Sequence, residues 1–220
     1  MIEAIFFDQD DTLLDTKAVS TLAYRSAINY LADKMCGSRE ELWLDWQRVV
    51  GENKLSLDPS MRSLSFSLSK VCSNESWVDE AIAVLEKIVE DKIELNPGVR
   101  DFFEIPKKGI KYILATEDYA NLLEIKLKKF ALRDKFDLVI GNRETGIMKP
   151  SLEYYRIAWE KFELDPKKCV YVGDKYEKDC ELGGGAGGTT VLFGSDDDKR
   201  ADYRIDNFIK LREIIEKLDI

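Results

Sequence analysis

The stretch Ile2–Thr16, IEAIFFDQDDTLLDT, decides the fold. From Ile2 to Asp8 it is almost continuously Ile, Ala and Phe, short, and closed by polar residues, which reads as a strand buried on both faces of a parallel sheet. Three aspartates then fall within four residues: Asp8, Asp10 and Asp11. A chain that finishes a buried strand and then crowds like charges at its tip needs a reason for them there.

Downstream of this stretch the period changes from that of a strand to that of a helix. Trp77, Val78, Ala81, Ile82, Leu85, Ile88, Val89 and Ile93 share one face at i, i+3, i+4 spacing, and segments at about 17–35, 39–50 and 60–72 fit three more helices. Cys36-Gly37-Ser38 and Leu57-Asp58-Pro59 are the breaks between them. The block reads as a small helical bundle inserted after the first strand, and Asn96-Pro97-Gly98 ends it. Strands and helices then alternate: strands at 110–115, 136–140, 169–172 and 189–193, helices at 121–131, 152–162, 177–183 and about 207–218. Such alternation predicts an α/β fold, a doubly wound parallel sheet with helices on both faces.

Composition narrows the chemistry. The 220 residues contain no histidine, which removes triads with a His base, His-ligated zinc and imidazole pH switches. Catalysis here must use carboxylates, lysines, hydroxyls, thiols or an oxygen-bound metal. A net charge of −9, with Lys and Arg scattered, argues against nucleic acid as a partner. No apolar run approaches the roughly 20 residues of a membrane span, and the N-terminal run has no positive flank of a secretory signal. Cys36, Cys72, Cys169 and Cys180 lack C-x-x-C spacing and read as reduced thiols of a cytoplasmic protein.

In doubly wound sheets, ligands bind beyond the carboxyl ends of the strands. Those ends carry Asp8 and Asp10, then Thr116 after "YILA", Lys149 in "GIMKPS", and Asp174 after "CVYVG", with Asp179 five residues on. An oxygen-only cluster of carboxylates suits a hard ion, and Mg2+ fits best. The run Gly183-Gly184-Gly185 with Gly187-Gly188 follows a helix and lacks a phosphate-loop pattern, so it reads as a helix terminus and turn. Asp196 to Asp198 reads as a solvated loop.

Taken together, these residues resemble the haloacid dehalogenase superfamily. "DQDDT" matches its D-x-D-x-T signature, Thr116 its second motif, Lys149-Pro150 its third, and "GDKYEKD" its fourth. The resemblance implies a Rossmann-like core of residues 1–15 and 96–220 and a helical cap domain of residues 16–95. It implies Asp8 as nucleophile, Asp10 as general acid and base, Thr12 as a support of the turn, and Asp8, Asp10 (through its carbonyl) and Asp174 as Mg2+ ligands. Thr116, Glu117 and Lys149 fall at its phosphate-binding positions, and Asp179 at the position that orients Lys149.

An acid two residues after the nucleophile favours phosphoryl transfer over dehalogenation, because a halide leaves without protonation. The resemblance therefore implies a Mg2+-dependent phosphatase for a small phosphorylated metabolite of the sugar phosphate, phosphoglycolate or nucleoside monophosphate class, as a monomer or homodimer. A phosphoglucomutase-like phosphotransferase and an idle binding protein of the same fold are the alternatives. Glu117 and Asp118 depart from the family, where Asn, Ser or Gly is frequent after the threonine. An acid facing a phosphate is repulsive, so both are expected in the first turn of the next helix, pointing away.

Overall fold

The computed structural model describes residues 1–53, 56, 58–105, 109–141, 149–194 and 198–218. The opening apolar run forms strand β1 (Ala4–Phe7), all four residues buried. Alternation along the strand sends Ala4 and Phe6 to one face, where they join Ile113, Tyr155 and Tyr171. Phe7 goes to the other, in ring contact with Phe102, Phe103, Tyr112, Phe136 and Phe208. Both faces are covered, which is why the strand can be apolar at every position.

β1 lies inside a six-stranded sheet with β2 (Lys111–Thr116), β3 (Leu138–Gly141), β4 (Cys169–Gly173), β5 (Thr189–Phe193) and β6 (Tyr203–Ile205). The order is β3-β2-β1-β4-β5-β6 and every described pairing is parallel, as the alternation predicts. β6 escapes the sequence pattern because it is three residues long and flanked by Asp202 and Asp206. Asp202 fastens it by accepting hydrogen bonds at 2.8 Å from both the backbone N–H and the hydroxyl of Thr190. The order reverses between β1 and β4, where Phe7 pairs with Leu114 on one side and Val172 on the other. Asp8, Thr116 and Asp174 therefore leave the sheet at nearly the same height.

The chain folds as two compact units. The first comprises Met1–Asp15, Glu94–Asp118 and Phe130–Ile220, and contains the sheet. Where the chain leaves and re-enters it, Asp15 N–H donates to Glu94 O (3.1 Å) and the Asn96 side chain to Thr12 O (2.9 Å), so both connections are pinned together.

The second unit is helical and comprises Thr16–Ile93 and Tyr119–Lys129. Its elements are α1 (Lys17–Met35), α2 (Arg39–Asn53), α3 (Leu64–Ser69) and α4 (Glu75–Lys92). α1 packs on α4 and ends at left-handed Cys36, with Gly37 N–H bonded back to Ala32 O, at the break read from the sequence. The expected helix at 60–72 is divided into a 3-10 turn, Pro59–Arg62, and α3, because the Ser63 hydroxyl accepts from Phe66 N–H and starts a new helix there. Leu57, at the expected break before it, lies outside the described residues.

α5 (Val99–Glu104) belongs to the first unit. α6 (Ala120–Lys129), which sequence alternation assigns to the core, groups with the helical unit. Asn121 reaches Glu86 of α4 (2.5 Å) and Lys129 Nζ reaches the Ile93 carbonyl (2.8 Å), contacts between residues far apart in sequence. α7 (Leu152–Phe162), α8 (Glu181–Gly185) and α9 (Phe208–Leu218) complete the first unit. The expected helix at 177–183 begins as a π-helical turn, Tyr176–Cys180, before α8. Gly183 closes α8 against the Tyr171 ring, where a Cβ would come within 2.4 Å, so packing is what requires glycine there. Of the acidic run, Asp196 and Asp197 lie outside the described residues, and Asp198 pairs with Arg200. All four cysteines are free thiols. Among the described residues no helix is long and apolar enough to cross a membrane.

Candidate active site

Past β1 the backbone turns once. The Gln9 carbonyl accepts N–H bonds from Leu13 (2.9 Å) and Leu14 (3.1 Å), and Asp11 adopts a left-handed conformation (φ 62°) that Asp tolerates better than most residues. The turn brings the Thr12 hydroxyl back to donate to the Asp8 carboxylate at 3.0 Å. Asp10 forms a backbone bridge with Leu14 in the same turn. Asp8 is thereby held at the strand tip with one oxygen engaged by Thr12.

Lys149 supplies the positive charge. Its ammonium donates to Asp8 at 2.8 Å and to Asp179 at 2.7 Å, and its side chain is only 2% exposed. Burial alone works against a charged lysine, but Asp179 and Asp8 outweigh it and hold the ammonium well above the ordinary lysine range. Asp8 also moves upward, toward its neutral form: burial, with repulsion from Asp179, pushes its carboxyl up to about 7 despite Lys149.

Asp179 reaches this point because of what precedes it. A Cβ on Gly173 would meet Asp179 Cβ at 2.2 Å, so only glycine at the end of β4 lets the π-helical turn fold Asp179 back over the strand. Its second oxygen accepts from Lys175 N–H at 3.1 Å. Asp174 completes the group: Asp8, Asp174 and Asp179 each offer a carboxylate oxygen, and the three oxygens lie within 4.8 Å of one another. The donors are all oxygens, and the three carboxylates outnumber the two lysines that pair with them, Lys149 and Lys175 (3.6 Å from Asp174), which fits a hard divalent cation.

Thr116 is buried, and its hydroxyl accepts from Asp118 N–H at 3.1 Å. Glu117 and Asp118 precede α6 instead of lying in its first turn. The Glu117 carboxylate is directed to the backbone N–H of Lys149 (3.2 Å) and to the ammonium of Lys178. Sequence reasoning passed over three contributors: Lys178, Tyr154 and Tyr155. The Tyr154 hydroxyl lies 2.6 Å from the carbonyl oxygens of Thr116 and Ile140, and that of Tyr155 lies 3.2 Å from Lys178 O and 3.0 Å from Asp179 O. The available signal was a pair of adjacent tyrosines shortly after Lys149-Pro150, because a buried tyrosine hydroxyl needs an acceptor.

A parallel sheet of this order, with Asp8 past β1, Asp174 past β4 and a buried lysine joining Asp8 to Asp179, defines a doubly wound α/β protein with a carboxylate cluster at its strand ends. A profile of haloacid dehalogenase-like hydrolases matches residues 2–187, and the chain belongs to that family. It is 26% identical over 231 residues to the glyceraldehyde 3-phosphate phosphatase of Methanocaldococcus jannaschii, covering 99% of each chain. It is also 26% identical over 175 residues to the phosphorylated carbohydrates phosphatase of Thermotoga maritima, covering 79% of this chain and 76% of that one. Among solved structures, the HAD phosphatase of Thermococcus onnurineus superimposes with a TM-score of 0.79 at 23% identity, over 97% of this chain and 98% of the other. That likeness is one of fold.

Proposed function

We propose that the chain is a Mg2+-dependent phosphatase that hydrolyses a small phosphomonoester through an aspartyl-phosphate on Asp8. The observation that carries this reading is the buried Lys149 ammonium bridging Asp8 and Asp179 beside Asp174. An Asp8 oxygen attacks phosphorus, the ester P–O bond breaks, and Asp10 gives its proton to the departing alcohol oxygen. Asp10 then takes a proton from water, whose oxygen attacks phosphorus and releases orthophosphate, restoring Asp8.

Lys149 and the Thr116 hydroxyl hold phosphate oxygens, with the backbone N–H of Glu117 as a further donor, while Asp179 orients Lys149 and Thr12 orients Asp8. Asp8, Asp174 and the Asp10 carbonyl would hold Mg2+. When bound, the ion supplies charge stabilisation to the transferring phosphoryl group and favours ionised Asp8.

Similarity to a glyceraldehyde 3-phosphate phosphatase and a phosphorylated carbohydrates phosphatase supports sugar phosphates as the first substrates to try, glyceraldehyde 3-phosphate before others. The test is hydrolysis of p-nitrophenyl phosphate and glyceraldehyde 3-phosphate with MgCl2. Turnover should vanish with EDTA and fall to below about a thousandth in Asp8→Asn, as expected when a nucleophile is removed. Undiminished turnover in Asp8→Asn would overturn the reading.

A further inference from the structure

Glu117 poses a problem that its neighbours resolve. It follows Thr116 directly, at the end of β2, where a bare carboxylate would repel a phosphate. Instead one oxygen accepts the backbone N–H of Lys149 and the other pairs with Lys178, with the Glu117 side chain only 19% exposed. Lys149 follows β3, and Lys178 lies in the turn after β4, immediately before Asp179. A single carboxylate therefore spans three loops at the strand ends, and its charge is cancelled within its own contacts. An exposed ion pair contributes little by itself, and the Lys178 side chain is 47% exposed, so what fixes geometry here is the less exposed Glu117 carboxylate held at once by that ammonium and by a backbone N–H.

We infer that Glu117 is a positioning residue: with Lys178 it forms a clasp that fastens the Lys149 backbone to the turn carrying Asp179, and so sets the distance from Lys149 Nζ to Asp8. The inference rests on the phosphatase reading for its consequence, though not for its geometry. Tyr154 and Tyr155 complete the brace, since their hydroxyls engage carbonyls next to it, at Thr116 at the end of β2 and at Lys178 and Asp179. Removing either partner of the clasp leaves Asp8, Lys149 and Asp179 chemically intact but frees the backbone that aims them. Small misplacements of this kind cost about ten- to a hundredfold in rate.

Two readouts on the full chain test this. Amide hydrogen exchange at Lys149 reads the clasp itself, and p-nitrophenyl phosphate turnover reads its effect. In Glu117→Ala and Lys178→Met, Lys149 exchange should quicken at least about tenfold and kcat should fall about tenfold or more with KM nearly unchanged. The double variant should be no slower than Glu117→Ala, and Lys178→Arg should keep turnover near wild type. Unchanged exchange in both single variants overturns the inference, as does quickened exchange with full turnover, or a Lys178→Met chain indistinguishable from wild type. A folded wild-type chain without turnover sinks the phosphatase reading instead, and the clasp then stands or falls on the exchange rates.

Discussion

Burial and the nearby Asp179 raise the Asp8 carboxyl from its ordinary 3.8 to about 7. An acid whose pKa rises on folding binds its proton more tightly in the folded chain than in the unfolded one, so its contribution to stability becomes adverse as pH rises. The penalty is absent below about 3.8 and complete above about 7. At about 1.4 kcal/mol per pH unit, the rise from 3.8 to about 7 sets a ceiling of about 4 kcal/mol. Asp8→Asn removes the charge and keeps an acceptor for Lys149. In EDTA-treated protein it should therefore melt above wild type at pH 8 by thermal denaturation, and the advantage should disappear near pH 4. Equal melting at both values would show that burial of Asp8 carries no penalty. Asp11 has a local explanation at this scale too: its left-handed backbone closes the turn that returns Thr12 to Asp8.

At the scale of elements, the decisive piece is the end of β4. Gly173, the π-helical turn Tyr176–Cys180 and Asp179 act together, because the side chain of Asp179 occupies the space a Cβ at 173 would fill. Gly173→Ala should cost about 1–3 kcal/mol in urea denaturation from overpacking, and should lower kcat by displacing Asp179 from Lys149. An alanine variant with wild-type stability and turnover would show that the turn yields freely. The sequence pattern reads this segment as ordinary helix, because the side-chain period of a single widened turn is too short to register. The same limit hides β6 and α5, a three-residue strand and a six-residue helix, each too short for a period to show.

At the scale of the whole molecule, stability and site share a strand. Phe7 precedes Asp8 directly and meets rings from α5, β2 and α9, at Phe102, Phe103, Tyr112 and Phe208. Phe7→Ala should cost about 3–5 kcal/mol, read by chemical denaturation, whereas Leu22→Ala on a position 45% exposed should stay within about 0.5 kcal/mol. Equal costs would show that the aromatic cluster does not carry the sheet.

The sequence alone determined the alternation of strands and helices, the parallel sheet, the inserted helical block and the acids and lysine at the strand ends. Those properties are local: period, burial preference and charge at a strand tip are written residue by residue. Tertiary structure decided which strand ends meet, through the reversal of order between β1 and β4 that sets Asp174 beside Asp8. It also decided that α6 groups with the helical unit and that the Glu117 carboxylate faces Lys178 and the Lys149 N–H. No spacing in the chain encodes those contacts, because each joins residues at least 30 positions apart and depends on how the loops pack once the sheet is built.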